Sequence, residues 1–330
     1  MRRTVSGFRN MIPLLAALLP PLASGACLEA PRDPIRIGIN AWPPFELLYL
    51  AREKGFFQEE GVEVDLVDFS SYTGILRSYH QGNVDAFLAT LNETLIADNF
   101  QDPPAVVLVV DYSYGGDALV ARDGVTGVAA LRGRRVAFEE SALGSFVLER
   151  ALESGGLSLA DIVPVNRLPE EGERDFLARA VDAVVTYEPA LNRLMRQPGA
   201  RTIFSSRDIP GEIVDVLVLR RSILDGRRAE ASRVLKAWFR ALSWYRENPQ
   251  EAAALMAKRQ HVSVEEFLAG LSGAHLPDLE ENRRLLGTAQ APGPIYQTAD
   301  RLGAFLMRHG LAKQATAAAD LFHPELVDSL

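Results

Sequence analysis

Polar and aromatic residues follow directly after the predicted strands of this chain, where they would gather at one edge of a sheet. Ligands of open α/β sheets bind beyond the carboxyl ends of the strands. Such a mixture suits a small polar molecule, because rings shield its faces and a few polar groups fix its orientation. The candidate ligand-binding residues are Asn40, Trp42, Ser71, Tyr72, Asn92, Glu93, Gly116, Asp117, Ser141, Tyr187, Glu188 and Asp215.

Several candidates also have a simple structural role. Glu93 and Glu188 stand at predicted helix starts, where the helix macrodipole favours a carboxylate. Gly116 follows Gly115 in a crossover between domains, where glycine serves chain reversal. Asp117 can hydrogen-bond locally in the same crossover. The structural role and ligand contact stay open for each of these residues.

The candidate set contains no Lys or Arg. A bound anion would therefore depend on hydroxyls and on the backbone N–H groups of the helix N-termini predicted at residues 71–72 and 141–145. The carboxylates of Asp117, Glu188 and Asp215 would instead accept hydrogen bonds from an amine or a ring N–H. We therefore expect a ligand that carries such a group.

The sequence lacks the motifs of several enzyme and metal-binding classes. No nucleophile elbow or phosphate-binding Gly-Lys-Ser/Thr loop is present. The five histidines are scattered, and the single cysteine, Cys27, excludes a disulfide within the chain and a cysteine-rich metal site. We predict no catalytic residue, no metal and no cofactor. The formal net charge of −8, with a pI of about 5.3, argues against a nucleic-acid partner.

The first 26 residues match a secretory signal peptide. Arg2, Arg3 and Arg9 give a positive start, residues 11–22 form an apolar run, and residues 23–26 are small. The apolar run is too short to span a bilayer, which needs about 20 residues. The pattern predicts a mature chain that works in the periplasm or another extracytoplasmic compartment.

Cys27 follows the small residues 24–26, as in a bacterial lipobox. A lipobox normally has a branched aliphatic residue where this chain has Ser24. Two alternatives stay open: a lipid anchor on Cys27, or ordinary cleavage before a cysteine with no such role.

Strands and helices alternate along the mature chain, which predicts βαβ units and a mostly parallel sheet. The pattern starts again near residue 118, and the Val-Asp-Ala triplet at 84–86 recurs at 181–183. We therefore predict two similar α/β lobes. Beyond Leu219 the pattern is helical without a strand, with Ser263 and Asp278 as helix N-caps, and this tail is expected to pack back onto lobe one. Strands are predicted at residues 35–40, 62–69, 84–89, 105–111, 118–121, 135–138, 162–165, 183–186 and 213–219.

Six motifs together resemble one family of binding proteins. They are NAWPPFE at 40–46, LAREKGFF at 50–57, GNVDA at 82–86, YSYGGD at 112–117, LRGRRVA at 131–137 and VDAVVTYEP at 181–189. The chain is similar in these segments to the nitrate/sulfonate/taurine-type periplasmic binding proteins, a group that includes binding proteins for thiamine-precursor pyrimidines. The resemblance covers nearly all of the mature chain in order.

The resemblance implies a type II periplasmic-binding-protein fold of two α/β lobes joined by two crossovers, near residues 113–118 and 209–215. The expected domains are a signal peptide at 1–26, lobe one at 27–115 and 213–330, and lobe two at 116–212. In this family the positions matching Trp42, Ser71, Asn92, Ser141 and Glu188 line the cleft.

The resemblance also implies partners. A monomer that captures a small molecule by hinge closure would deliver it to an ABC permease in the inner membrane. One alternative is a periplasmic subunit that presents the solute to a membrane sensor. A remote alternative is the fungal enzyme that forms the thiamine pyrimidine, but that enzyme relies on a cysteine-rich iron motif that this chain lacks. The scaffold does not name the ligand.

Overall fold

Two β-sheets carry the architecture of this protein, whose computed structural model describes residues 1–2, 33–97, 102–313 and 317–330. The first sheet has six strands: β1 (Ile35–Ile39), β2 (Val64–Asp68), β3 (Ala86–Thr90), β4 (Pro104–Ser113), β10 (Val214–Arg220) and β11 (Ala274–His275). The second sheet has five: β5 (Asp117–Ala121), β6 (Arg135–Phe138), β7 (Val163–Asn166), β8 (Ala183–Tyr187) and β9 (Arg201–Ser205).

The first sheet has the strand order β11-β4-β10-β3-β1-β2. Strand β1 pairs in parallel with β2 and β3, whereas β10 is antiparallel to β3 and β4. Residues 105–110 of β4 form a continuous, fully buried apolar run, as expected for a sheet covered on both faces. The register sets Asp215 opposite both Thr90 and Asp111, which brings their polar side chains to one end of the sheet.

The second sheet repeats this plan with the order β7-β6-β8-β5-β9. Strand β6 pairs in parallel with β7 and β8, and β5 is antiparallel to β8 and β9. Asp117 at the start of β5 lies opposite Tyr187 at the end of β8. The strand ends of this sheet therefore also bring candidate residues together.

Two chain segments cross between the sheets. The first joins β4 to β5, and the second joins β9 to β10. The hydroxyl groups of Ser113 and Ser206, one from each segment, are 2.9 Å apart, and the N–H of Gly115 donates to Ser206 Oγ at 2.6 Å. These hydrogen bonds tie the crossovers to each other.

Helices cover both sheets. Those of lobe one, which is built on the first sheet, are α1 (Glu46–Glu53), α2 (Phe56–Glu60), α3 (Tyr72–His80), α4 (Leu91–Ile96), α8 (Arg221–Gly226), α9 (Arg228–Glu247), α10 (Pro249–Gln260), α11 (Val264–Leu271), α12 (Leu279–Leu286), α13 (Pro294–Arg308), α14 (Ala318–Leu321) and α15 (Glu325–Asp328). Those of lobe two are α5 (Ala142–Ser154), α6 (Pro169–Leu177) and α7 (Ala190–Met195).

The C-terminal helices pack on lobe one, as the sequence predicts. Helix α9 packs against α1 and α2, α12 packs against β4, and α13 packs against α4. Ser263 and Asp278 cap α11 and α12, because their side chains accept the N–H groups of Glu266 and Glu281.

Three predicted elements differ from the structure. The sequence predicts one helix within residues 46–57 that ends at Gly55; Gly55 does end α1, with a φ of 74°, but a separate helix, α2, follows it. Strand β9 was not predicted, since an exposed five-residue edge strand has a weak apolar pattern. The prediction of no strand after Leu219 was wrong, because the two-residue β11 pairs with the end of β4.

The predicted signal peptide and Cys27 lie outside the described residues. No helix among the described residues is long and apolar enough to cross a membrane.

Candidate functional site

A small closed cavity lies between the two lobes. Its volume is about 20 Å³, which is room for about one water molecule. Its lining comes from α3 of lobe one and from the strand ends, loops and helices of lobe two. The lining residues are Tyr72, Asp117, Glu139, Ser141, Leu143, Gly144, Val147, Pro169, Val185 and Tyr187.

Three aromatic rings frame one side of the cavity. Tyr187 lies between Trp42 and Tyr72, with ring-centroid distances of 6.3 and 6.0 Å. Trp42 is buried behind Tyr187, and its indole N–H donates to Asp111 Oδ2 at 3.0 Å. The Nδ2 group of Asn40 contacts the Tyr187 hydroxyl at 3.3 Å. Loops after β1 and β8 thus meet across the lobe boundary and place two tyrosine hydroxyls at the cavity.

Glu139, which follows β6 of lobe two, binds the first turn of α3 in lobe one. Its Oε1 accepts from the backbone N–H of Thr73 at 3.2 Å and from the Thr73 hydroxyl at 3.0 Å. Ser71 is the N-cap of α3, and its Oγ accepts the N–H of Gly74 at 3.1 Å. Burial raises the pKa of Glu139, and the hydrogen bonds from Thr73 oppose that change.

Glu93 makes the reciprocal contact from lobe one to lobe two. Its Oε1 accepts the N–H of Leu143, in the first turn of α5, at 2.9 Å. Ser141 caps the same helix by accepting the N–H of Gly144 at 3.0 Å. The Glu93 side chain is fully buried, and this burial raises its pKa to about 7. Each lobe therefore inserts a glutamate at a helix N-terminus of the other lobe, where the helix dipole favours a negative charge.

Asp111 and Asp215 form a buried pair of carboxyl groups beneath the cavity. They face each other across β4 and β10 and are hydrogen-bonded to each other. Burial raises the pKa of both groups, and the negative charge of Asp111 raises that of Asp215 further. Two carboxyl groups in such contact hold at least one proton between them.

Asp117 adds a further buried acid at the start of β5. Its side chain is hydrogen-bonded to Ser113, and burial raises its pKa to about 6. No Lys or Arg is among the residues that line the cavity. The described part of the site therefore gathers several buried carboxyl groups, and none of its lining residues is a cation.

Buried polar atoms without a partner surround this cleft. Asn92 is fully buried, and neither its Oδ1 nor its Nδ2 has a hydrogen-bond partner. Oδ1 of Asn40 and the hydroxyl of Thr186 are also buried and unpartnered. Leaving such atoms unpaired costs about 1–3 kcal/mol each, so their concentration in one place points to a ligand that would satisfy them.

Two candidates lie beside the cavity and do not line it. Gly116 packs against the Trp42 ring, since a Cβ at this position would approach that ring to 2.3 Å. Glu188 accepts the N–H of Asn192 at 3.2 Å and contacts Gly270 of α11, and burial raises its pKa to about 7. Gly116 and Glu188 therefore make structural contacts near the crossovers and are not part of the cavity lining.

The structure thus brings most of the candidate residues to one cleft. Tyr72, Asp117, Ser141 and Tyr187 line the cavity. Asn40, Trp42, Ser71 and Glu93 contact the lining residues or their helix, while Asn92 and Asp215 are buried nearby.

Sequence reasoning missed two important acids. Glu139 directly follows a predicted strand, so the strand-end rule would have included it. Asp111 ends an otherwise apolar run, and a single carboxylate at the end of a predicted buried strand could have indicated a site residue.

The two lobes and two crossovers define a type II periplasmic-binding-protein fold. The structure superposes on the alkanesulfonate-binding protein SsuA of Xanthomonas axonopodis pv. citri, solved bound to MOPS, with a TM-score of 0.76, 17% identity and coverage of 89% of this chain and 99% of that chain. It also superposes on the desulfurization enzyme DszB, with a TM-score of 0.64, 19% identity and coverage of 90% and 98%. The same fold thus occurs in a binding protein and in an enzyme.

The chain belongs to the NMT1-like family, whose model matches residues 29–260. A curated relative from Escherichia coli K12, described as an aliphatic sulfonates-binding protein, is 24% identical over 263 residues, which is 76% of this chain and 79% of the relative. The family, this relative and the fold together support the class of small-molecule binding protein.

Proposed function

We propose that this protein is an exported solute-binding protein that captures a small polar molecule between its lobes and delivers it to an ABC importer. The observation that carries the proposal is the closed cavity, lined from both lobes and surrounded by buried polar atoms without partners. Sites of this kind bind small ligands by burying most of their surface and fixing their orientation with a few polar groups.

Hinge motion gives access to this cavity. The lobes are joined by the crossovers tied at Ser113 and Ser206, and across the cleft they are held by the contacts of Glu93 and Glu139. Opening would break these cross-cleft hydrogen bonds and leave both sheets intact. A ligand that bridges the lobes would replace them and favour the closed form.

We further propose the domain boundaries and location of the protein. A signal peptide at 1–26 precedes lobe one at 27–115 and 213–330, with lobe two at 116–212, and the mature monomer works in the periplasm. The division of strands between the two sheets supports the lobe boundaries. Mass spectrometry of the exported protein would give its N-terminus and show whether Cys27 carries a lipid.

The proposal assigns no catalytic step to the cleft. Because DszB has the same fold and is an enzyme, this part needs its own test. The identified ligand should be recovered chemically unchanged after prolonged incubation with the protein. Conversion of the ligand at a rate that depends on Glu93 or Glu139 would contradict the assignment.

Solute capture is tested on protein purified after export of the full chain, stripped of any retained ligand by unfolding and refolding. Native mass spectrometry before stripping would identify a retained ligand. Thermal unfolding with sulfonates, nitrate, amino acids, amines and pyrimidines then follows. A ligand at about a hundred times its dissociation constant adds about 2.7 kcal/mol of stability, which raises the melting temperature by several degrees.

The expected shift should disappear in Tyr187→Ala, which removes a cavity wall, and persist in Tyr114→Ala, whose ring is half exposed outside the cavity lining. No shift with any compound, and no retained ligand, would contradict solute capture. Loss of ligand uptake on deletion of the gene supports the importer partner. Intact uptake with a lost transcriptional response would instead support a sensor partner.

A further inference from the structure

The positions that most favour an anion in this cleft are already occupied by the protein. The N-terminus of α3 receives the carboxylate of Glu139, and that of α5 receives the carboxylate of Glu93. In each case the glutamate comes from the opposite lobe, so the contact forms as the cleft closes. A sulfonate or nitrate would have to displace a glutamate to reach these N–H groups.

The remaining polar lining would also repel an anion. Asp117 and Glu139 line the cavity, and the charge of Asp117 raises the pKa of both Asp111 and Asp215 nearby. Tyr72 and Tyr187 contribute hydroxyls and ring faces, and no Lys or Arg is among the lining residues. Arg193 lowers the pKa of Glu188, which lies outside the lining, and is itself paired with Glu173.

Buried polar atoms without hydrogen-bond partners give independent evidence on the chemistry of the ligand. The carboxylate of Glu93 binds the N–H of Leu143 in the cavity lining, and hydrogen bonds from Ser141 and Ala142 also act on it. Oδ1 of Asn40 is buried and unpartnered, and the same amide contacts the hydroxyl of Tyr187 in the lining. Oδ1 of Asn40 is an acceptor that a hydrogen-bond donor would satisfy, and Oδ1 of Asn92 is a second such acceptor, whereas Nδ2 of Asn92 needs an acceptor.

We propose that the cleft selects a small organic cation with N–H donors, an amine or an amidine, and excludes the sulfonates that its relatives bind. This inference rests on the proposed solute-capture function and specifies its ligand class. An ammonium or amidinium group supplies donors without acceptors. It would pair with Asp117 and Glu139, and its carbon part would lie against the tyrosine rings, which also attract cations.

A charge-matched ligand series tests the proposal on the exported, stripped protein. The probes are alkylammonium ions from ethyl to hexyl, phenethylammonium and benzamidinium, each compared with a sulfonate of matched carbon skeleton, by isothermal titration calorimetry at pH 7.5. We expect the best cation to bind at least tenfold more tightly than its matched sulfonate. Asp117→Asn and Glu139→Gln should each weaken that binding at least tenfold, and Glu140→Gln, an exposed neighbour, should not.

A gain of binding completes the test. The double variant Glu93→Ala/Glu139→Ala exposes the N–H groups of α3 and α5, so we expect it to bind the matched sulfonate at least tenfold more tightly than the wild type does. Should the double variant fail to fold, each single alanine variant provides the same comparison at one helix.

Two outcomes would overturn the ligand class. Tighter binding of a sulfonate than of every cation by the wild type would do so while leaving solute capture standing. The absence of binding by every cation would also overturn it, and solute capture would then be judged by the wider panel and by the retained ligand.

Discussion

Neutralising Glu93 should change how the stability of the ligand-free protein depends on pH. The Glu93 carboxyl is fully buried, and this burial raises its pKa to about 7 from an ordinary value of 4.5. A difference of one in pKa corresponds to about 1.4 kcal/mol. Ionising Glu93 in the folded protein therefore costs about 3 kcal/mol more than in the unfolded chain.

The sign of the effect follows from the raised pKa. The protonated folded form is favoured, so this contribution to stability is fully present below pH 4.5 and is lost as pH rises through 7. Glu93→Gln keeps the shape of the side chain and cannot ionise. At pH 8 the variant should be more stable than the wild type by up to about 3 kcal/mol, whereas at pH 4.5 the two should differ little.

Urea unfolding of both proteins at intervals from pH 4.5 to 8 measures the difference. Other buried acids, such as Asp117 and Glu188, also titrate in this range, so the informative quantity is the wild-type curve minus the variant curve. Glu140→Gln, at an exposed glutamate, is the control and should leave the pH dependence unchanged. Parallel curves for the wild type and Glu93→Gln would refute the assignment of a raised pKa to this buried carboxyl.

Three further substitutions test the packing around the cleft, each by urea unfolding at pH 7. Trp42→Phe removes the hydrogen bond to Asp111 and should cost about 1–3 kcal/mol; a loss below 0.5 kcal/mol would count against that bond. Gly116→Ala places a Cβ 2.3 Å from the Trp42 ring and should cost about 1–3 kcal/mol, whereas Gly127→Ala, with open space around it, should cost far less. Arg259→Met strands the fully buried carboxylate of Glu46 and should cost about 3–5 kcal/mol; an unchanged midpoint would contradict that pairing.

The architecture was largely predictable from the sequence because it depends on local patterns. Apolar runs such as residues 105–110 and the caps at Ser263 and Asp278 are visible within a few residues. The edge strand β9 was missed because its first two residues are exposed and only its last two are buried, so that its pairing with β5 is its main determinant. Pairing between distant segments leaves little trace in a short window of sequence.

The sequence predicted many of the residues of the site but not the contacts that they make with one another. The strand-end rule found Tyr72, Asp117, Ser141 and Tyr187 without indicating which atoms would meet. The helix N-termini at Ser71 and Ser141 were predicted to be free for an anion. In the structure they are occupied by Glu139 and Glu93 from the opposite lobes, and a pairing between segments so distant in sequence leaves no local pattern.

This arrangement links the ligand class to closure of the cleft. Glu93 and Glu139 hydrogen-bond across the lobes, yet both are buried acids whose ionised forms are costly without a nearby positive charge. A cation that binds between them would stabilise the ionised carboxylates and replace the interlobe hydrogen bonds that opening breaks. An anion adds repulsion and must break the same bonds. Under the proposed ligand class, the glutamates that close the cleft would also discriminate between ligands by charge.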